Sequence, residues 1–344
     1  MNRYIVDIFR KWSFLVVLVL LMAGCTSEFD EFETGVKVEF TTPYLQDMEI
    51  QTKAPSGYGS TVSGSTSMGV FVSGMQNEST VTYNGSSWES SLKLDPATYK
   101  IYSYIPKRNG VSFSGNVITF TDVPFIMSEE ILLSSGAVAE TVTKVDDTYT
   151  PSDKRGSLVK NSYSIKVESA EDTRNYVTFM MDRVMAKVNL NFKVHEKYSK
   201  IRTIKIKEVT LKPAAGNYQS VNIACTMNEG SEISYSRSPG SAVDHSVSFS
   251  PVNLELMNTS EKSVGTFYSV PGVQNNVVMT VKYDVYDKAE TLVRENQTVT
   301  NSSIKLIETG TLARAKEYKL NVNIVPTYLY SLSDTDKESV MLVQ

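Results

Sequence analysis

The side chains that most often perform catalysis or hold metals are few in this sequence and widely separated. The chain has two histidines, His195 and His245, which lie far apart among lysines and serines. A zinc-type site needs several nitrogen or sulfur ligands together, so we expect no histidine-built metal site. Asp244-His245-Ser246 has the residue types of a hydrolase triad, but neighbouring residues of a strand point to opposite faces, and no G-x-S-x-G elbow accompanies it.

Paired carboxylates, such as Asp146-Asp147 and Glu129-Glu130, are the remaining candidates for acid–base chemistry. Two carboxylates hydrolyse glycosidic bonds when they are correctly spaced in three dimensions, which a sequence does not reveal. Adjacent carboxylates are also common on solvated surfaces. We therefore predict a protein that is not an enzyme, with no catalytic residue, no metal and no cofactor, and we keep glycoside hydrolysis open as the alternative.

Cys25 has the most specific chemical context, because it directly follows the small residues Ala23 and Gly24. The string Leu21-Met22-Ala23-Gly24-Cys25 resembles a lipobox, at which lipoprotein signal peptidase cuts between Gly24 and Cys25. The cysteine thiol then carries diacylglycerol, and the freed amine takes a further acyl chain. Several chains together anchor a protein where one chain binds only marginally. We predict a lipid-modified Cys25 that binds membrane lipid.

A short apolar segment precedes this cysteine. Arg3, Arg10 and Lys11 give a basic start, and residues 14–22 contain no charge and no proline. This arrangement is typical of a secretory signal peptide. The apolar run is about half of the roughly 20 residues that a membrane-spanning helix needs. We therefore predict that residues 1–24 are a cleaved signal peptide.

Residues 25–35 are predicted to form an acidic tether. In several surface lipoproteins of Gram-negative anaerobes an acidic stretch at this place directs export to the outer leaflet, and this segment resembles it. The alternative is a plain solvated linker. The first interpretation locates the protein in the outer membrane, at the cell surface. The acidic residues are Glu28, Asp30, Glu31 and Glu33.

Net charge and cysteine content exclude two further classes of protein. The formal net charge of -4 provides no basic field for binding nucleic acid. The second cysteine, Cys225, lies in an apolar stretch, and we predict that it is a small buried hydrophobe. Because Cys25 is consumed by lipid, stability must come from packing and not from an intramolecular disulfide.

Apolar and polar residues alternate along most of the remaining chain, as half-buried strands require. The apolar positions shift by one near Lys207 or Glu208, which predicts a β-bulge, and a short helix is predicted at residues 128–133. Turn sequences such as Asn84-Gly85 separate the runs. The pattern predicts an all-β fold of the sandwich type. Clear alternating segments are residues 36–40, 188–194, 277–285 and 318–324.

The length predicts two domains. Removing 24 of the 344 residues leaves 320, which corresponds to two domains of about 150 residues each. The weakest strand pattern lies at residues 142–173, and we place the boundary near its end. This gives an N-terminal β-sandwich domain at residues 36–172 and a C-terminal β-sandwich domain at residues 173–344.

Several strand-like groups occur in an order that matches a known family. Gly69-Val70-Phe71-Val72 is followed by Asn84-Gly85-Ser86-Ser87-Trp88, and then by the aromatic strand Tyr99 to Ile105 that ends at Pro106. Residues 176–188 resemble a strand that opens a second domain. With this order behind a lipobox, the chain resembles the fimbrillin family of pilus subunits. Asp182 and Arg183 depart from the family pattern, in which a histidine is frequent here.

The resemblance implies two transthyretin-like β-sandwich domains in tandem and export as a surface lipoprotein. In this family a protease removes an N-terminal strand after a basic residue, and a neighbouring subunit donates a strand to the groove that opens. The matching position in this sequence is Lys53-Ala54, although the family more often has arginine. The alternative is that Lys53 is an ordinary loop lysine.

The tail at residues 328–343 is the candidate donor strand. Donation would combine main-chain hydrogen bonds with apolar side chains that enter pockets. The alternative is that the tail closes its own domain as a final strand. The apolar residues of the candidate strand are Tyr328, Tyr330, Val340 and Leu342.

The function implied by the resemblance is that of a structural pilus subunit serving cell adhesion. Its partners would be other fimbrial subunits and a receptor on host or bacterial surfaces. A fimbrial anchor or tip subunit is one alternative, and a surface lipoprotein that binds glycan or a host protein without polymerising is another. Alternating aromatic residues in a strand are more often core residues than ligand-binding residues. The aromatic residues that could stack on sugar rings are Trp88, Tyr99, Tyr102 and Tyr104.

Mass spectrometry of the N-terminal peptide tests the lipobox. In untrimmed protein extracted from membranes, we expect a peptide that begins at acylated Cys25, because cleavage must precede acylation of the amine. A secreted protein with an unmodified Cys25 thiol would contradict the prediction.

Overall fold

A computed structural model describes residues 35–50, 60–62, 66–143, 149, 151–154, 157–170, 172–241, 245–256, 258–273, 276–307, 310–326 and 341–342. Within these residues most of the regular structure is β-strand, with one short helix, α1 (Glu196–Ser199). The predicted all-β class is confirmed. In the described part of the chain, no helix has the length and apolar character needed to cross a membrane.

The strands are short in the first fifty residues and reach 14 residues near the C-terminus. In chain order they are β1 (Val36–Phe40), β2 (Tyr44–Leu45), β3 (Glu49–Ile50), β4 (Ser60–Thr61), β5 (Ser67–Val72), β6 (Ser79–Tyr83), β7 (Trp88–Ser90), β8 (Lys93–Leu94), β9 (Ala97–Ile105), β10 (Val111–Ser114), β11 (Val117–Pro124), β12 (Ile126–Met127), β13 (Leu132–Thr143), β14 (Ser164–Val167), β15 (Thr173–Arg183), β16 (Ala186–Val194), β17 (Thr203–Pro213), β18 (Ser220–Thr226), β19 (Ser234–Pro239), β20 (Val247–Phe249), β21 (Leu254–Leu256), β22 (Lys262–Ser269), β23 (Asn276–Tyr286), β24 (Leu292–Lys305), β25 (Lys316–Pro326) and β26 (Met341–Leu342).

The first sheet closes on itself through β1. Its strand order is β4-β2-β15-β13-β9-β5-β6-β7-β1-β8, with β14 added beside β9. β1 pairs with β7 on one side and also with β15, which lies near the other end of this order. A closed sheet has no edge between its first and last strands, so β1 is the strand that removes that edge.

The other strands form three smaller sheets. The second sheet has the order β10-β11-β18-β19, and the third has β12-β22-β16-β25-β26 with β3 beside β25. The fourth has β20-β17-β23-β24 with β21 beside β17. Apolar residues alternate along β16, where Val188, Leu190 and Phe192 are fully buried and the residues between them are partly exposed.

Two hydrophobic clusters fill these sheets. One belongs to the first sheet and includes Val38, Phe40 and Leu45 from the start of the chain. The larger cluster joins the other three sheets and also takes in Tyr102 and Tyr104 from β9. The two clusters therefore meet along β9, whose successive side chains enter different cores.

Pairings between strands also cross the predicted domain boundary. β15, at the start of the predicted C-terminal domain, pairs with β13 in the first sheet. β11 and β18 pair across the same point of the sequence. The boundary between residues 172 and 173 thus falls at the first residue of a strand in the first sheet, and the division itself stays a prediction.

Two local expectations have different outcomes. The β-bulge near Lys207 is confirmed, because the register between β17 and β23 shifts between Ile206 and Glu208. The helix predicted at residues 128–133 is wrong. Leu132 and Leu133 begin β13 and pair there with Arg183 and Asp182 of β15, so sheet pairing prevails over the local preference.

Candidate functional site

The first strands of the chain run alongside two other strands in a parallel direction. We call residues 36–50, which carry β1, β2 and β3, the leader segment. β1 and β2 pair with β15, where Val38 lies opposite Asn175 and Leu45 opposite Met181. β3 then pairs with Lys316 and Glu317 of β25. One continuous segment therefore covers parts of both β15 and β25.

Main-chain hydrogen bonds hold the leader segment on both of its sides. Thr41 N donates to Val177 O at 3.0 Å, and Gln46 N donates to Met181 O at 2.9 Å. Towards β8, Val38 N donates to Leu92 O at 2.9 Å. These bonds are those of an inserted strand, not of a loop lying on a surface.

The leader segment also supplies apolar side chains to the core of the first sheet. Val38, Phe40 and Leu45 are 0%, 5% and 8% exposed. The ring of Phe40 stacks on that of Phe179 of β15, with centroids 6.0 Å apart. Burying each such side chain contributes about 1.5–3 kcal/mol, or roughly 5–9 kcal/mol for the three. This is comparable with the whole stability of a typical domain.

Polar contacts fasten the segment where it leaves β15. Thr41 Oγ1 and Thr178 Oγ1 are hydrogen-bonded at 2.6 Å. Arg183 Nε donates to Gln46 O at 2.7 Å, and Arg183 N donates to Gln46 Oε1 at 3.2 Å. Arg183 also forms a short ion pair with Glu130. The arginine therefore links the leader segment to a carboxylate that precedes β13.

Glu130 is an acid with a perturbed proton affinity. Its side chain is 11% exposed, and its Oε1 has no hydrogen-bond partner within the described residues. Burial raises the pKa of Glu130 to about 7, although Arg183 acts in the opposite direction. Adjacent carboxylates such as Glu129 and Glu130 are common on solvated surfaces, but Glu130 is not solvated in this way. No local sequence pattern indicates this role, since the burial of Glu130 depends on strands distant in the chain.

The end of the chain pairs with the same strand as β3. Met341 and Leu342 form β26, which lies antiparallel to Pro326 and Val325 of β25. Between these two short pairings, residues 318–324 of β25 pair with β16 on one side. Tyr318, Leu320, Val322 and Ile324 of this stretch are buried.

Most of the predicted modification and donor positions lie outside the described residues. These are Gly24 and Cys25, Lys53 and Ala54, and Tyr328, Tyr330 and Val340. Leu342 is placed only by its main-chain pairing in β26. All of these assignments stay predictions.

The predicted aromatic residues mostly belong to the core. Tyr102 and Tyr104 are 2% and 0% exposed, so their ring faces are closed to a sugar. Trp88 is also buried and pairs with Phe40. Cys225 is a free, buried thiol, as predicted, and burial raises its pKa to about 12.

Within the part of the chain that the structure describes, neither His195 nor His245 belongs to a cluster of metal-binding side chains. His195 caps α1, where its Nδ1 accepts a hydrogen bond from Lys197 N at 3.2 Å. Among the residues whose placement is described, no group of three histidine, cysteine, aspartate or glutamate side chains is arranged to hold a metal ion.

Neither a family model nor a curated protein matches this sequence. Several solved structures align with most of this chain. A Bacteroides fragilis protein assigned to cell adhesion has a TM-score of 0.43 at 9% identity, over 90% of this chain and 97% of that one. A fimbrial protein of Bacteroides vulgatus has a TM-score of 0.38 at 13% identity, over 82% and 95%.

A fimbrial anchor protein of Porphyromonas gingivalis has a TM-score of 0.28 at 7% identity, over 85% of this chain and 92% of that one. The first of these three proteins is described as a cell adhesion protein and the other two as fimbrial proteins.

The pKa of Glu130 predicts a pH dependence of stability. The folded state raises this pKa from 4.5 to about 7, so it favours the protonated carboxyl. The stabilising contribution of the protonated Glu130 carboxyl is complete below pH 4.5. It is lost as the pH rises through about 7, which lowers the free energy of unfolding by up to roughly 3 kcal/mol. Urea unfolding between pH 4.5 and 8 measures it. We expect Glu130→Gln to flatten this decline.

Glu129→Gln is the matched control, because Glu129 is exposed. It should retain the decline of the wild-type protein. An unchanged pH profile in Glu130→Gln would show that another group titrates.

Proposed function

We propose that this protein is a structural pilus subunit, exported as an outer-membrane lipoprotein, that polymerises by exchanging its leader segment for a strand of a neighbouring subunit. The observation that carries the proposal is the pairing of β1, β2 and β3 with β15 and β25. The whole leader segment precedes Lys53 in the sequence. A cut after Lys53 would leave the segment held by non-covalent contacts alone.

Loss of the leader segment would open a site with a defined chemistry. The edge of β15 would regain unpaired main-chain groups beside Asn175 to Val177, and the pockets of Val38 and Phe40 would be empty. Unpaired edges and empty apolar pockets favour the addition of an extended strand. A donated strand would restore both kinds of contact at once.

The tail is the segment best suited to be that strand. Residues 328–343 contain tyrosine, leucine, valine and methionine, and they follow the last long strand, β25. Within the described residues, β26 pairs with two residues of β25. Donation to a neighbouring chain would exchange this pairing for one with the β15 edge of that chain.

The biological role follows from the exposure of such a polymer at the cell surface. Acyl chains on Cys25 would hold the untrimmed chain in the outer membrane, and trimming would release it into the pilus. Its partners are then membrane lipid, other fimbrial subunits and a surface receptor that the pilus binds in cell adhesion.

Replacement of Lys53 tests the maturation step. Lys53→Ala should leave Cys25 as the only N-terminus on the cell surface and abolish polymers that resist boiling in detergent, because the leader segment would remain attached. Lys53→Arg is the control and should yield an N-terminus at Ala54 with polymers. Normal polymers from Lys53→Ala would refute a cut at this position.

Deletion of Tyr328 to Gln344 tests the donor strand. The deleted protein should remain folded, with a wild-type circular dichroism spectrum and melting temperature within a few degrees, yet form no polymer. An unfolded monomer would indicate instead that the tail closes its own domain.

A further inference from the structure

The leader segment also forms one wall of a surface groove. We call this cavity, of about 720 Å³, the aromatic groove. Its lining includes Tyr44 of β2, Trp88 of β7, Tyr149, Asp153 and Tyr176. Its volume is within the range of pockets that hold small ligands.

Ring surfaces supply the apolar part of the groove. Tyr149 and Tyr176 are tilted against each other, with ring centroids 5.6 Å apart. Tyr44 and Tyr149 are half-buried, so part of each ring remains open to solvent. Trp88 is buried, and its indole Nε1 has no hydrogen-bond partner within the described residues. Flat apolar faces with polar edges suit ligands of the same mixed character.

The polar groups of the groove are already fixed in position. Tyr44 donates its hydroxyl hydrogen to Asp153 Oδ1 at 2.6 Å. The Tyr176 hydroxyl lies beside Arg174 and Glu39, and burial raises the pKa of Tyr176. Groups that are ordered before binding lose less entropy when a ligand arrives.

The charge of the groove argues against an anionic ligand. Lys37 and Arg174 are its cationic residues, whereas Glu39, Glu89 and Asp153 are anionic. A phosphate or sulfate polymer would meet a surplus of negative charge. A sugar instead matches both parts of the groove. Its many hydroxyls suit the carboxylates, hydroxyls and guanidinium, and its apolar ring faces suit the aromatic rings.

The strand pairing argues against an extended peptide. β1 is paired with β7 and β15, and β2 is paired with β15 and β4. An extended peptide gains most of its affinity from a free sheet edge, and these strands of the groove already have partners on both sides.

We propose that the aromatic groove binds a neutral oligosaccharide, and that the site exists only while residues 36–50 are present. Tyr44 and Tyr149 stack on the sugar, and Asp153 and Arg174 bind its hydroxyls. The second part rests on the proposed function, since trimming removes Glu39 and Tyr44. Glycan binding is then a property of the lipid-anchored chain and is lost in the polymer.

A glycan array with the detergent-solubilised lipoprotein tests the first part. The immobilised probes are gluco-, manno-, galacto- and N-acetylhexosamine oligosaccharides, with sialylated and sulfated glycans for comparison. We expect binding to at least one neutral class. Binding to charged glycans alone, or to none, would overturn the proposal.

Variants then locate the site by calorimetry with the strongest neutral glycan. Tyr149→Ala should weaken binding about tenfold or more through loss of ring stacking, and Asp153→Asn should also weaken it. Tyr149→Phe keeps the ring and should bind within about threefold of wild type. Tyr218→Ala is a control at a residue 45% exposed outside the groove, and it should bind normally. Unchanged affinity in Tyr149→Ala would place the glycan elsewhere.

Trimmed protein tests the second part. Subunits with an N-terminus at Ala54, recovered from polymers, should lose binding at least tenfold relative to Lys53→Ala protein. Equal affinity would show that the leader segment is not part of the site. It would not contradict the proposal that the protein polymerises. If no trimmed protein forms, the proposed function fails, whereas the result with the untrimmed chain still decides whether the groove binds glycan.

Discussion

A sheet that closes through a single strand depends on that strand to cover edges that would otherwise be open. In this protein that strand is β1. β1 covers the edge of β15 by parallel pairing and reaches β7 on its other side. It also fills the core with Val38 and Phe40, so one segment satisfies main-chain hydrogen bonds and apolar packing together. Loss of the segment would expose the edge of β15 and an apolar core surface to water, and a replacement strand would cover both.

This constraint connects the two ends of the molecule. The leader segment touches β25 through β3, and the C-terminal residues touch β25 through β26. Arg183 holds Gln46 at the point where the segment leaves β15, and it pairs with the buried Glu130. The same segment forms a wall of the aromatic groove. Trimming would thus change the partners of β15, the contacts of Arg183 and the shape of the groove in one event.

The sequence predicts the local part of this structure well and the non-local part poorly. Alternation at residues 36–40 and 188–194 identifies β1 and β16, and the shift near Lys207 identifies a bulge, because side-chain direction in a strand has a period of two. Local pattern says nothing about which strand pairs with which, so the pairing of β11 with β18 could not be foreseen. The burial of Glu130 and the role of Arg183 depend on such pairings. Tyr102 and Tyr104 likewise became core residues because β9 lies between two cores.

Hydrogen exchange along β15 tests most directly whether the leader segment is a replaceable strand. Peptides covering Thr173 to Arg183 should be protected in the untrimmed chain, and lose protection in monomer cut after residue 53 and freed of its leader. They should be protected again in the polymer. Amides that point towards β13 should stay protected throughout, which provides the internal reference. Equal protection of β15 in the cut monomer and the untrimmed chain would contradict the account, as would an unprotected β15 in the polymer.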